Sequence, residues 1–236
     1  MNTNQKTARI AGLLYLIVAI TGGFGHFSLH GSIIVHGDAT ATVNNILASK
    51  TMFILGFVSN LSCQTTFIVL PLVLYKLLNH VNKNHALLMI IFVLIGVPIA
   101  SLNMLNQFAA LLILGGANYL TAFNTNQLNA LVMLFLNMQE YGVLIAQIFW
   151  GLWLLPFGYL VFKSGFLPKC LGILLMIACF GYLIGSFISF ISPAYATMIQ
   201  PIYIEPAIAE ISICLWLLIK GVKTPKIKEE VKLNVI

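Results

Sequence analysis

A carboxylate stranded in an apolar run is the first residue here that could do chemistry. Glu210 stands in the stretch Ile202 to Ile219, ten residues before Lys220. At 1.5 Å per helical residue it lies about 15 Å from that basic boundary. A carboxylate at such a depth in hydrocarbon is costly, so it is a candidate for taking up a proton or holding a ligand. Gln64, eleven residues before Tyr75, reaches a similar level. Asn60, Asn103, Asn106, Gln107, Gln147, His26 and Glu205 fall in the opposite half. Asn103, Asn106 and Gln107 share one helical face through their i, i+3 and i+4 spacing. Asn126, Asn129, Asn137, Glu140 and Gln147 follow another face, interrupted by Met133 and Leu144.

These side chains are expected to turn away from hydrocarbon and converge on a polar cavity floored by Glu210 and Gln64. For the amides a plainer role competes, bridging helices at about 0.6 kcal/mol per bond. Glu205, directly before Pro206, also reads as a helix-start residue, and Glu140 as a water-exposed one. His26 and His30 stand at i, i+4, which presents two imidazoles on one face. With His36, Asp38 and Glu205 they define a conceivable metal site. Asp38 reads more simply as a helix cap.

The elements that position these residues follow from composition. Of 236 residues, 60% are hydrophobic and 8% charged, and the mean hydropathy is +0.98. Soluble domains carry about 25% charged residues. A water-soluble globule, a disordered chain and a secreted disulfide scaffold are therefore excluded. A helix needs roughly 20 apolar residues to cross a bilayer. Six runs satisfy this: Ile10 to Leu29, Met52 to Leu78, Ala86 to Leu114, Phe123 to Phe162, Leu167 to Ile191 and Ile202 to Ile219. The basic start of the first run resembles a signal peptide, but its length and the lack of a small-x-small site predict a retained helix.

The predicted fold is all-α, a polytopic membrane protein of six transmembrane helices. Lys6, Arg9, Lys76, Lys83, Lys163, Lys169, Lys220, Lys223, Lys226, Lys228 and Lys232 fall on one side of that layout, leaving Lys50 on the other. The positive-inside rule then predicts N-in/C-in topology. It places a single transmembrane domain over 1–222 and a basic cytosolic tail over 223–236 that suits anionic lipids. Asp38 is predicted to start a short interfacial helix, Ala39 to Ser49, on the external side. The fourth run is about 60 Å long as one helix, so Asn126 to Met138 should protrude or lie in the outer interface. Leu128, Leu131, Phe135 and Met138 form its apolar stripe.

Gly181, Gly185 and Ser189 recur every four residues, a face for close packing inside the bundle or against a second copy. Pro71, Pro98 and Pro156 fall inside runs and can bend them. Trp150, Trp153 and Trp216 read as packing residues, and the four cysteines as buried free thiols. Phosphate-binding loops, HExxH pairs and nucleophile elbows are absent from the sequence. No inverted repeat is evident, and the basicity is accounted for by topology rather than by nucleic acid.

The segments RIAGLLYLI, HGDATATVNNILAS, NQLNALVMLFLNM, FWGLWLLPFGYLVFKSGFLPKCLGILL and PAIAEISICLWLLIKGV run through the chain in order. They resemble the bacterial membrane family catalogued as domain of unknown function 4386. The resemblance covers nearly the whole chain and implies a multi-pass protein of the bacterial inner membrane, with no particular activity. The family pattern often has His where this chain has Gln139, and Gly at the position of Ala209. The Glu that follows is matched by Glu210.

The expected function is binding or translocation of a small solute or lipophilic ligand through a cavity open to the external side, with Glu210 exchanging a proton. No cofactor is implied. A membrane-embedded, metal-dependent enzyme using His26, His30 and Glu205 is the alternative from another class, and a structural or accessory protein without ligand is the third.

Overall fold

The computed structural model describes residues 3–31, 33–192 and 200–222, with His30 and Gln200 described by backbone alone. The basic tail over 223–236, the turn over 193–199 and the His30 side chain lie outside the described residues.

Every regular element among the described residues is helical. The elements are α1 (Thr3–His30), α2 (Ala39–Ala48), α3 (Lys50–Leu78), α4 (Lys83–Leu114), α5 (Thr125–Leu152), α6 (Leu154–Lys163), α7 (Lys169–Ile191) and α8 (Ile204–Leu215). A 3-10 turn at Asn118–Ala122 precedes α5. Another at Gln200–Tyr203 leads into α8, which continues as a π turn over Trp216–Lys220. Six spans are long and apolar enough to cross a membrane: Thr3–Leu29, Lys50–Leu78, Lys83–Leu114, Thr125–Lys163, Lys169–Ile191 and Pro201–Lys220. All six sequence runs are recovered. The chain is a multi-pass membrane protein.

Gln5 ties the two ends of the bundle together. Its amide nitrogen donates to the Lys220 carbonyl at 2.9 Å, and its carbonyl accepts from the Val222 backbone N–H at 2.9 Å. The start of α1 and the end of the last span therefore share one face, as an even number of crossings requires.

Local signals set the helix starts. Asn82 accepts from His85 N–H at 3.1 Å, and Asn124 forms a reciprocal capping box with Gln127. Asp38 accepts the Ala41 N–H at 2.9 Å and opens α2, as its sequence position predicts. Asp38→Ala should cost about 1 kcal/mol. Faster hydrogen exchange confined to the first turn of α2 is the measurement that checks it.

The fourth run bends at Pro156, as a proline there predicts: α5 ends at Leu152 and α6 begins at Leu154, with Trp153 between them. Pro156 has no N–H to offer the Leu152 carbonyl, and its ring crowds that carbonyl, so the ladder breaks four residues back. The start of α5 packs against the rest of the bundle. Val132 and Leu136 are buried in a cluster with Leu29, Ile33, Ile46, Phe53 and Ile113. Leu128, Leu131 and Phe135 pack only partly against this cluster, and Met138 is exposed. The predicted stripe is rotated from the buried one, because α2 and α4 approach α5 on the Val132 side.

The main core draws on all six spans, from Tyr15 in α1 through Phe67, Leu70 and Leu74 in α3 to Ile213 and Leu217 in the last span. Trp153 is its largest buried side chain, in ring contact with Tyr15, Phe67 and Phe157 at centroid distances of 5.9, 5.2 and 5.2 Å. Large apolar side chains such as Ile20, Phe27, Leu102 and Leu105 face outward, as lipid contact requires. Lipid leaves little hydrophobic drive between helices, so close approach must come from small residues. Gly181 and Gly185 supply it within this chain. A Cβ at Gly181 would come within 2.9 Å of Pro206, and one at Gly185 would strike the Tyr203 phenol. That face packs on the last span.

Three of the cysteines, Cys63, Cys179 and Cys214, are buried free thiols as expected. Cys170 is exposed, because it lies in the first turn of α7.

Candidate functional site

Glu210 lies two turns into α8, and two phenols hold its carboxylate. Tyr15 of α1 donates its hydroxyl to one oxygen at 2.7 Å, and Tyr182 of α7 donates to the other at 2.7 Å. A buried carboxylate deprived of water needs its lone pairs filled, and hydrogen bonds to a charged acceptor are the stronger kind. The three residues come from three helices and form one bridge across the bundle. Tyr15 rests on Trp153, so the bridge is backed by the aromatic core. Cys63 of α3 is within electrostatic reach of Glu210, which places α3 beside the same group.

Several other polar atoms in different helices are shielded without a well-aligned hydrogen bond among the described residues: both carboxylate oxygens of Glu205, the Ser186 and Tyr203 hydroxyls, the Gln64 side-chain carbonyl and the indole N–H of Trp150.

The expected site residues divide into two groups rather than lining one wall. Asn103 donates to the Gln139 carbonyl at 2.8 Å, and Asn106 donates to Asn103 at 2.9 Å. Gln139 donates to the Gln107 carbonyl oxygen at 3.4 Å, while Gln107 donates to the Phe53 carbonyl at 3.4 Å. This network ties α3, α4 and α5 together, the helix-bridging role of membrane amides. Gln139, where the family pattern often has His, is therefore a buried structural link. Asn60 is half-buried and lies against Gly25 of α1, and Gln147 is half-buried on α5. Gln64 on α3 and Glu205 at the start of α8 lie outside this network, Gln64 buried and Glu205 half-buried.

His26 lies within electrostatic reach of Glu140 on α5. Among the described residues, no three His, Cys, Asp or Glu side chains converge as a metal site.

Glu210 stands out in the sequence, but its partners Tyr15 and Tyr182 do not. A depth count from Lys169 would have put Tyr182 near mid-membrane, but nothing local says which way its ring turns.

A stretch of 88 residues, 37% of this chain, is 38% identical to an uncharacterised protein of Archaeoglobus fulgidus. The chain spans about half, 51%, of that relative's length. No solved structure matches. The family model described as Domain of unknown function (DUF4386) matches residues 10–221. With nearly every described element inside that match, from α1 through the π turn, the chain belongs to the DUF4386 family.

Proposed function

We propose that this protein binds a small solute at the intramembrane site around Glu210 and moves it by exchanging a proton there. In this reading the site opens to the external side, opposite the face where Lys6, Arg9, Lys76, Lys83, Lys163, Lys169 and Lys220 gather at helix ends, the mark of a cytosolic face. The observation that carries the reading is the Tyr15–Glu210–Tyr182 bridge. An ionisable group kept inside the membrane at such expense, and supplied with matched partners, serves a task beyond packing. Phenolic hydroxyls can donate or accept. When Glu210 is ionised, both tyrosines donate to it. When it carries a proton, it donates to one tyrosine while accepting from the other, and the first tyrosine's hydroxyl hydrogen must then turn to another acceptor, so the two states make different demands on the bridge. The bridge spans α1, α7 and α8, so a change of proton state is felt where three helices meet.

Trp153 reports on this exchange through its contact with Tyr15. In lipid nanodiscs, tryptophan emission should shift as pH is scanned, and Glu210→Gln should flatten that transition. An emission profile identical in wild type and Glu210→Gln would remove the proton-exchange reading.

A further inference from the structure

We propose that the turn between α6 and α7 docks an anionic phospholipid, whose phosphate sits between Lys163 and Lys169 beside Phe162. The lipid belongs to the leaflet on the side of both chain ends. This surface is separate from Glu210 and stands or falls independently of proton exchange there.

Lys163 closes α6 and Lys169 opens α7, so both mark the ends of membrane spans. Both are exposed. Their ammonium groups lie 6.0 and 5.6 Å from the centroid of one ring, that of the half-buried Phe162. An ammonium is attracted to an aromatic ring at this distance, so two like charges are kept beside one ring. A neighbouring turn is drawn in. His80 stacks on Phe166 at 5.6 Å, and His85 stacks on Tyr159 at 4.1 Å. The α3–α4 turn, with the exposed Lys83 at the start of α4, therefore lies against the α6–α7 turn. The sequence has no Asp or Glu from 39 to 139 or from 141 to 204, so neither turn has a carboxylate of its own.

Charge selects an anion. A phosphate has several acceptor oxygens, so it can take charge-assisted hydrogen bonds from both ammonium groups at once and offset their repulsion. The surface beneath selects a lipid over a soluble anion. Lys169, Ile173, Ile177 and Phe180 recur at helical spacing on one face of α7, and all four are exposed. The strip from Lys169 to Phe180 is about 16 Å long, close to the half-thickness of the hydrocarbon, about 15 Å. A headgroup held at Lys169 therefore lays an acyl chain along an apolar strip of one leaflet's depth. A soluble phosphate would use the lysines and nothing below them. A zwitterionic lipid would bring its own cation against Lys163 and Lys169, which an anionic headgroup avoids.

The test titrates the full chain in detergent micelles with dioleoylphosphatidylglycerol or dioleoylphosphatidylcholine, and reads bound lipid by native mass spectrometry. Wild type should bind phosphatidylglycerol in preference to phosphatidylcholine. Lys163→Gln with Lys169→Gln should weaken that binding by about thirtyfold, as expected for two basic residues at a lipid surface. Lys163→Arg with Lys169→Arg should retain it, because the charge is kept. Lys6→Gln with Lys220→Gln removes as much charge from the same side, in α1 and the last span, and should weaken binding by less than about threefold. All four lysines are exposed, so the fold should tolerate these changes. Equal losses in the two Gln pairs would show a diffuse cationic face and overturn the site. So would equal binding of the two lipids. Displacement of phosphatidylglycerol by an equal concentration of glycerol phosphate would make the occupant a soluble phosphate ester and overturn the lipid assignment.

Discussion

Replacing Tyr15 and Tyr182 together by Phe is expected to destabilise the protein by about 3 kcal/mol, because both bonds to the Glu210 carboxylate are lost at once. A hydrogen bond to a charged group contributes about 1.5–3 kcal/mol net, and a buried acceptor left unfilled costs more than the bond itself suggests. Each single Tyr→Phe change should cost about half as much, and the two should not add simply, since both act on one carboxylate. Adding Glu210→Met to the double variant should bring stability back to within about 1 kcal/mol of wild type, because removing all the polar partners together leaves nothing unsatisfied. Reversible unfolding of wild type and the four variants in bicelles makes the comparison. If the triple variant is no more stable than the double, the carboxylate is not what the tyrosines serve.

The crossing of α6 and α7 should tolerate added bulk poorly. A Cβ on Gly172 would lie 2.6 Å from both the Gly158 carbonyl oxygen and the Phe162 nitrogen, and one on Gly158 would lie 2.6 Å from the Gly172 carbonyl oxygen. These neighbours are backbone, which cannot swing aside as a side chain can. Gly172→Val should therefore cost about 3 kcal/mol, at the upper end of overpacking, or prevent accumulation of folded protein. Gly23 in α1 provides the contrast, since nothing lies within 4 Å of its added Cβ. Gly23→Ala should be neutral or stabilising by up to about 1 kcal/mol, as expected for a helix interior. Equal losses at both positions would show that backbone freedom, not helix contact, sets the cost.

Much of the architecture was legible before any coordinates. The six spans and the Asp38 cap follow from composition and spacing read along the chain. The bend at Trp153 was legible too, announced by Pro156 three residues on. The amides shared by α3, α4 and α5 were less readable. Asn103, Asn106 and Gln107 were seen as one face, but that face meets Gln139 and the Phe53 carbonyl instead of a cavity. Spacing tells which residues point the same way, not what they meet.

The number of crossings, their ends and the burial of a charge follow from the chain alone, because lipid imposes length and backbone satisfaction on each helix separately. The rotation of each helix about its own axis is a different matter. In α3 and α4 apolar residues surround the whole circumference, so no stripe points inward. Only the packed bundle, where glycines let some faces approach and bulky residues hold others apart, brings Tyr15 and Tyr182 to Glu210 from 195 and 28 residues away.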